Sequence, residues 1–327
     1  MKTWKIFFTG QTLAFVEWRC YIPQREDGKK KGYLGGKVDI GLLFSEGHRA
    51  FLDGAMGTEL MRRGLQVGDM PELWNLERPE EVLDVQRAYV EAGAQILLTN
   101  TFGGNRLKLR RAGIEDRLEE VNRRAAEIAR EASEGRALVA GNIGPTGEFV
   151  EPYGTFSEEE FYRIFREQAE VLASYGVDLF VIETMADMGE AKAAVRACRE
   201  LGFPVAASMS FDPAGGDFHT MMGVRPEEAA RGLEEAGADL VGANCGGVGP
   251  DEMARVVGRM EEATRRPLFA EPNAGKPELV DGKAVYQLSP EAFVEGMRKV
   301  AEAGAKVLGG CCGTTPEHIR LLVRELG

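Results

Sequence analysis

From Ala50 onward, short apolar runs alternate with longer stretches whose apolar positions recur at helical spacing. Runs of this length, bounded by turn residues, are typical of buried strands, and the longer stretches are typical of amphipathic helices. The predicted strands are 50–52, 96–98, 138–140, 179–182, 205–207, 240–242, 268–270 and 307–308. The predicted helices are 80–91, 115–134, 157–175, 188–201, 226–236, 250–264, 290–303 and 316–326.

Several predicted helices end in the same way, with a glycine just before the next apolar run. The glycines are Gly93, Gly176, Gly237 and Gly304. Glycine adopts the left-handed backbone that ends a helix at little cost. Eight strands alternating with helices predict an α/β protein, a single-domain (β/α)8 TIM barrel over residues 49–327. A doubly wound open sheet is the alternative, although no Gly-x-Gly-x-x-Gly follows the first strand.

Residues 1–48 do not follow this alternation. Their apolar patches are interrupted by polar residues, and no small-residue cleavage site follows, so a signal peptide is not predicted. Lys29-Lys30-Lys31 with its glycine neighbours is typical of a linker. We therefore expect an N-terminal extension with little structure of its own.

Composition narrows the class of function. The 327 residues carry a formal net charge of −12, which argues against nucleic acid and anionic membrane surfaces as partners. Hydrophobic residues make up 44% of the chain, enough for a sizeable core, but no apolar run approaches the length of a membrane helix. Five cysteines without paired spacing predict no disulfide framework and indicate a reducing, cytoplasmic location.

Three cysteines lie where predicted strands end. Cys245 follows the sixth strand, and Cys311 and Cys312 follow the eighth. A barrel brings these ends to one rim, and three thiolates with an open fourth position are typical of a catalytic zinc site. Buried or redox-active cysteines are the alternative. We expect Cys198 to lie in the core and His318 to be an exposed helix residue rather than a ligand.

Zinc bound by three thiolates has a formal charge of minus one, so it is a poor Lewis acid for water. It can still bind a further thiol and remove its proton, which suits alkyl transfer onto sulfur. Asp53 and Glu183 offer carboxylates for the ammonium group of an amino-acid substrate, and the backbone N–H groups of 54–58 suit its carboxylate. Alternatively, Asp53 caps a helix and Glu183 pairs with a lysine or arginine of the barrel.

Taken together and in order, the motifs at the strand ends closely resemble the homocysteine S-methyltransferase family. The likeness runs from about residue 50 to the end, without the N-terminal extension. The motifs are Asp53-Gly54-Ala55-Met56-Gly57-Thr58, Thr99-Asn100-Thr101-Phe102, Gly141-Asn142-Ile143-Gly144-Pro145, Glu183-Thr184-Met185, Asn244-Cys245, Pro272-Asn273-Ala274-Gly275 and Gly309-Gly310-Cys311-Cys312-Gly313-Thr314-Thr315-Pro316.

The resemblance implies a zinc-dependent enzyme of methionine biosynthesis that binds homocysteine through its sulfur as the fourth zinc ligand. It implies no catalytic residue beyond the metal site. The residues it assigns are Cys245, Cys311 and Cys312 for zinc, Asp53 and Glu183 for the substrate ammonium, the backbone of Gly54 and Ala55 for the carboxylate, and Asn244 and Asn273 as supporting residues.

The methyl donor is less closely defined. We expect a sulfonium compound, S-methylmethionine or S-adenosylmethionine; betaine is another candidate, but no aromatic-rich cage for a quaternary ammonium is evident. The alternative is a homocysteine-binding subunit that accepts its methyl group from a separate methylcobalamin protein supplied by methyltetrahydrofolate. A third hypothesis is a barrel lyase or isomerase with a phosphate site at 309–315, in which the cysteines are incidental.

Overall fold

The computed structural model describes residues 49–280 and 283–327, together with two short segments nearer the N-terminus. Those segments, Cys20–Tyr21 and Gly35–Gly36, pair as antiparallel strands. The rest of the predicted N-terminal extension, residues 1–48, lies outside the described residues.

Eight parallel strands form a ring, which confirms the predicted (β/α)8 barrel. From the second strand to the eighth, each pairs with the next along the chain, and the first pairs with the eighth. A single bridge between Leu52 and Ile96 joins the first strand to the second and completes the ring. The strands are β1 Ala50–Phe51, β2 Ile96–Leu98, β3 Leu138–Ile143, β4 Leu179–Met185, β5 Val205–Met209, β6 Leu240–Asn244, β7 Leu268–Glu271 and β8 Ala305–Leu308.

All eight predicted helices are present, with ends within about one turn of those predicted. The helices are α1 Met56–Arg62, α2 Trp74–Glu77, α3 Pro79–Ala92, α4 Arg106–Arg111, α5 Leu118–Ser133, α6 Glu158–Ser174, α7 Met188–Arg199, α8 Pro226–Ala236, α9 Pro250–Glu261, α10 Pro290–Glu302 and α11 Pro316–Leu326. The short elements α2 and α4 were not predicted. Nor were the 3₁₀ turn Pro71–Leu73 or the hairpins Asp212–Ala214 with Asp217–His219 and Glu278–Val280 with Lys283–Val285. The first residues of the predicted helix 115–134 form a separate 3₁₀ turn, Glu115–Arg117.

Helix ends follow the predicted chemistry. The four helix-terminating glycines all have positive φ, between 93° and 119°. At the start of α11, the Thr315 hydroxyl accepts a hydrogen bond from the His318 backbone N–H, and Pro316 occupies the first helical position. These caps hold α11 directly behind the Cys311-Cys312 turn.

The core has two parts, divided by the wall of the barrel. Side chains that alternate along the strands fill the inside of the ring, where Leu179 and Val181 of β4 are buried beside Phe269 of β7. The intervening residues, such as Phe180 and Ile182, face outward and pack against the helices. This alternation is the expected packing of a filled barrel, so the interior is closed and the space for ligands lies at its ends.

Gly242 of β6 lies directly beside Phe269 of β7 in the sheet. A β-carbon on Gly242 would lie 2.3 Å from the Phe269 carbonyl oxygen, an atom of the backbone that cannot move independently of the strand. We therefore expect Gly242→Ala to lower the free energy of unfolding by about 3 kcal/mol, the upper end of the usual cost of overpacking. Urea unfolding followed by circular dichroism measures this loss.

Gly258, in the middle of α9, provides the matched control because no atom lies within 4 Å of the position its β-carbon would take. Gly258→Ala is expected to raise stability by about 0.5 to 1 kcal/mol through helix propensity. Equal effects at the two glycines would contradict the packing argument.

Long segments follow the strands at one end of the barrel, and short turns precede the strands at the other. Both hairpins belong to the long segments, which follow β5 and β7. The end with the long segments, called here the barrel mouth, contains all the strand-end motifs. Within the described residues, no helix combines the length and apolar character needed to cross a membrane.

Candidate functional site

A cavity of about 670 Å³ opens at the barrel mouth. Its inner end is formed by the carboxyl ends of the strands, including Asp53, Glu183 and the three cysteines after β6 and β8. Its outer end is formed by residues 68–72 and by α4. This volume lies within the range of sites for small ligands, and a single amino acid would fill only part of it.

The three cysteines predicted as metal ligands lie together at the inner end. Their sulfur atoms are all within 4.8 Å of one another. The Sγ atoms of Cys245 and Cys312 are 3.9 Å apart, and those of Cys311 and Cys312 are 4.0 Å apart. Four-coordinate zinc with Zn–S bonds of about 2.3 Å places its sulfur ligands about 3.8 Å apart. The three side chains therefore fit a tetrahedral metal ion and could hold one.

The protonation of these thiols also favours a cation. Hydrogen bonds from Cys245 and Cys311, with a further one from the Tyr286 hydroxyl, lower the pKa of Cys312 to about 3. The same hydrogen bonds to Cys245 and Cys312, together with burial, raise the pKa of Cys311 well above its usual value. One thiolate is therefore stabilised by its neighbours, and additional thiolates would require a bound positive charge.

The backbone is strained beside this cluster. Cys245 has φ of 52° and Thr184 has φ of 62°, left-handed values that are uncommon for residues other than glycine. The turn after Cys245 is held by Asn273, whose Nδ2 donates to the Gly246 carbonyl at 2.8 Å. The left-handed backbone at Cys245, held by the hydrogen bond from Asn273, places the Cys245 sulfur beside the Cys311-Cys312 turn.

Asp53 is buried at the end of β1, with 4% of its surface exposed. Its Oδ2 accepts a hydrogen bond from the Leu98 backbone N–H at 2.9 Å. The residue at the N-cap of α1 is Ala55, and Asp53 caps no helix among the described residues. Burial raises the pKa of Asp53 well above its usual value, and the nearby charge of Glu183 adds to the effect.

The Gly54-Ala55 backbone is bound tightly to the double-cysteine turn. The Ala55 N–H donates to Thr314 Oγ1 at 3.1 Å, and that hydroxyl donates to the Cys311 carbonyl at 2.8 Å. The buried Tyr89 hydroxyl donates to the Ala55 carbonyl at 3.0 Å. Of the two backbone N–H groups predicted to bind a substrate carboxylate, that of Ala55 is therefore already hydrogen-bonded to Thr314. Gly54 lines the cavity.

Glu183 and Asn244 form a connected pair at the ends of β4 and β6, the two strands that flank β5. Asn244 Nδ2 donates to Glu183 Oε2 at 2.9 Å, and Asn244 Oδ1 accepts from Ser208 Oγ and from the Thr184 N–H. No lysine or arginine among the described residues forms an ion pair with Glu183. Burial raises the pKa of Glu183 to about 7. Asn244 is fully buried, so it orients Glu183 from behind the cavity wall.

Glu271 was not assigned a role from the sequence, although it ends β7 and lines the same cavity. It is 2% exposed, and its Oε2 has no hydrogen-bond partner among the described residues. Burial raises its pKa well above the usual value, and the charges of Glu183 and Asp53 raise it further. Three buried carboxyl groups therefore surround one end of the cavity, an arrangement that a bound ammonium group would stabilise.

The expected exposure of His318 is wrong, whereas the expected core position of Cys198 is confirmed. His318 is 5% exposed; its Nδ1 lies 2.9 Å from Thr315 Oγ1 and its Nε2 lies 3.0 Å from the Leu288 carbonyl. Both ring nitrogens are thus engaged away from the sulfur cluster, and the residue supports the start of α11. Cys198 is fully buried on α7, where burial raises its pKa. The apolar spacing along α7 was enough to predict that Cys198 is buried. The burial of His318 depends on hydrogen bonds that an apolar pattern does not show.

Comparison with known proteins agrees with the site. Residues 50–326 match the family described as homocysteine S-methyltransferase. The chain is 33% identical over 308 residues to methionine synthase of Mycobacterium leprae, an alignment covering 87% of this chain and 25% of that protein. It is also 33% identical over 317 residues to betaine–homocysteine S-methyltransferase 1 of Mus musculus, covering 89% of this chain and 76% of that protein.

A solved structure shares both fold and sequence. The homocysteine methyltransferase MmuM of Escherichia coli, in its metallated form, superposes with a TM-score of 0.71 at 27% identity, covering 87% of this chain and 99% of that chain. The chain spans about a quarter of the methionine synthase that it matches and most of the other two relatives. With residues 50–326 matched and relatives at this level of identity, the chain belongs to the homocysteine S-methyltransferase family.

Proposed function

We propose that the protein is a zinc-dependent homocysteine S-methyltransferase that produces methionine from homocysteine and a sulfonium donor. The observation that carries the proposal is the convergence of three sulfur atoms, within 4.8 Å of one another, on a cavity with buried carboxyl groups. Sulfur ligands suit zinc, and an amino acid that bears a thiol matches both parts of this cavity.

When bound by Cys245, Cys311 and Cys312, zinc supplies a positive centre that favours the thiolate form of an incoming thiol. The protein's own groups bind and orient the substrate. Asp53 and Glu183 bind the substrate ammonium, and the backbone at Gly54 lies beside its carboxylate. Supporting contacts come from Asn244, which orients Glu183, and from Asn273, which fixes the turn that presents Cys245.

The methyl transfer itself is a displacement between two sulfur atoms. The homocysteine thiol releases its proton to solvent, and its sulfur forms a bond to the donor's methyl carbon. The bond between that carbon and the donor sulfur breaks, and its electron pair remains on the donor. With S-methylmethionine as donor, each turnover consumes one donor and one homocysteine and yields two molecules of methionine and one proton.

The purified, zinc-loaded protein is expected to convert homocysteine and S-methylmethionine to methionine at about 1 s⁻¹ or faster, within the common range of enzymes. The measurement is methionine formation by mass spectrometry with homocysteine that carries deuterium in its carbon chain, which distinguishes methionine made from homocysteine from methionine left by the donor. S-adenosylmethionine and betaine provide the parallel donors, and omission of homocysteine provides the blank. Absence of turnover with every free donor would contradict the sulfonium proposal.

A second candidate function is a homocysteine-binding subunit that receives its methyl group from a separate corrinoid protein. One observation favours it: the large apolar side chains exposed among the described residues all lie on the segments of the barrel mouth that join β1 to α3, β3 to α6, β5 to α8 and β7 to α10. They are Met61, Val67, Tyr153, Met221 and Val285. Exposed apolar residues gathered at one end are typical of a protein contact.

The two candidates differ in what restores turnover. If the protein is inactive with free donors but becomes active when a methylcobalamin-loaded protein is added, the subunit function is supported. Turnover with S-methylmethionine alone would instead show that no partner is required.

A further inference from the structure

The two ends of the cavity differ in their charged residues. The inner end contains the three cysteines and the buried carboxyl groups of Asp53, Glu183 and Glu271. The outer end contains two cations of α4, Lys108 and Arg111, together with the carboxyl groups of Asp69 and Glu72. Asp69 accepts a hydrogen bond from the Gln66 N–H, and Glu72 accepts one from the Gly103 N–H. Because both ends line one continuous cavity, a ligand long enough to reach from one to the other would meet cations only at the outer end.

Lys108 is the cation that lacks a partner. Among the residues that the structure describes, no carboxylate lies within ion-pair distance of its ammonium group and no hydrogen bond involves its Nζ. Arg111, by contrast, pairs with Glu148 and donates to the Gly147 carbonyl. Lys108 is partly buried and lines the cavity, and its ammonium group has no ion-pair partner among the described residues.

The two cations are close neighbours. A β-carbon on Gly147 would lie 3.2 Å from Lys108 Nζ and 2.9 Å from Arg111 Nη1, so both groups approach one point on the cavity rim. Like charges this close repel each other, and a bound anion between them would remove the repulsion. Two adjacent cations also form the geometry that a carboxylate accepts with both of its oxygens.

The nearby acidic residues do not neutralise Lys108 directly. Glu72 is 2% exposed and accepts a hydrogen bond from the Gly103 N–H, and Glu190 is 3% exposed and accepts from the N–H and hydroxyl of Thr146. The charge of Lys108 acts on both carboxyl groups without a direct contact. Each carboxyl group is therefore engaged by its own neighbours, and the Lys108 ammonium remains available to a ligand.

We propose that Lys108, assisted by Arg111, binds the carboxylate of a zwitterionic methyl donor whose onium group points inward toward the cysteines. This proposal rests on the proposed function, and it specifies the class of donor: a small onium compound with a carboxylate distant from the transferred methyl group. Homocysteine occupies the inner end, and the donor occupies the remaining length of the cavity.

Paired substrates test the assignment. The probes are S-methylmethionine and its decarboxylated counterpart, (3-aminopropyl)dimethylsulfonium, each assayed with the zinc-loaded protein at saturating homocysteine. Lys108→Gln is expected to raise the KM for S-methylmethionine between about tenfold and hundredfold, the loss that follows removal of a charge-assisted hydrogen bond. The KM values for homocysteine and for the decarboxylated donor should stay unchanged, and Lys108→Arg should retain most of the affinity.

Lys192→Gln on α7 is the matched control, since Lys192 lies outside the cavity and pairs with Glu235 at 3.6 Å. Calorimetric titration of the same variants with S-methylmethionine, without homocysteine, measures the subsite independently of turnover. Binding that depends on Lys108 in a protein without turnover would refute the proposed donor but support the subsite. Three results would overturn the subsite. The first is turnover or S-methylmethionine binding that does not change in Lys108→Gln. The others are an equal rise in KM for both donors, and no measurable binding of S-methylmethionine.

Discussion

Cys311→Ala is expected to remove the metal ion and to reduce methyl transfer to the uncatalysed rate. The Cys311 sulfur lies 4.0 Å from that of Cys312, and with Cys245 these residues form the one group of cysteine, histidine or acidic side chains among the described residues that could hold a metal ion. A site with two thiolate ligands binds zinc more weakly than a site with three. Metal analysis after dialysis should fall from about one zinc per chain to background, and methionine formation should fall with it.

Cys198→Ala provides the control for this prediction. That cysteine is fully buried on α7 and belongs to the core outside the barrel wall, so its loss should lower stability slightly while zinc content and turnover persist. A Cys311→Ala protein that keeps a full complement of zinc and normal turnover would show that the ligands have been assigned wrongly.

Asp53→Asn is expected to raise the KM for homocysteine about a hundredfold, because the substitution removes the charge that faces the substrate ammonium. An asparagine oxygen can still accept the hydrogen bond from the Leu98 N–H, so the fold should be retained. Initial rates over a range of homocysteine concentrations, with circular dichroism of the same samples, measure the two effects separately.

Asp239→Asn is a matched control at the opposite end of the barrel. Asp239 also accepts a hydrogen bond from a strand N–H, that of Val205 at 3.0 Å, and it pairs with Arg199 at 2.7 Å. Its substitution should lower stability and leave the KM for homocysteine unchanged. If Asp53→Asn behaved in the same way, Asp53 would have a structural role alone.

Much of the fold can be predicted from the sequence because each strand and each helix end of the barrel is specified by residues close together in the chain. Apolar runs mark all eight strands, and glycines such as Gly93 and Gly304 mark helix ends by a backbone conformation that other residues avoid. The cysteines could be assigned to the mouth because the carboxyl ends of parallel strands share one side of a barrel. Their spacing of 3.9 and 4.0 Å, however, depends on the register of strands far apart in the chain.

The features that were not predicted depend on contacts between distant segments. His318 is buried because the Leu288 carbonyl reaches its ring, and Thr314 closes the site because Ala55 donates to it. Nothing near Lys108 in the chain indicates that its ammonium lines the cavity, and Glu271 resembles any acidic residue at a strand end. Such roles are set by tertiary packing rather than by local pattern.

The order of the strands has a consequence for biosynthesis. β8 is the last strand to emerge from the ribosome, and it supplies the pairing partner for both β1 and β7 as well as the turn with Cys311 and Cys312. When Cys245 has emerged from the ribosome, the nascent chain outside it contains only one of the three cysteine sulfurs of the cluster. If the three cysteines bind zinc as proposed, the complete three-sulfur site can form only after β8 has joined the ring.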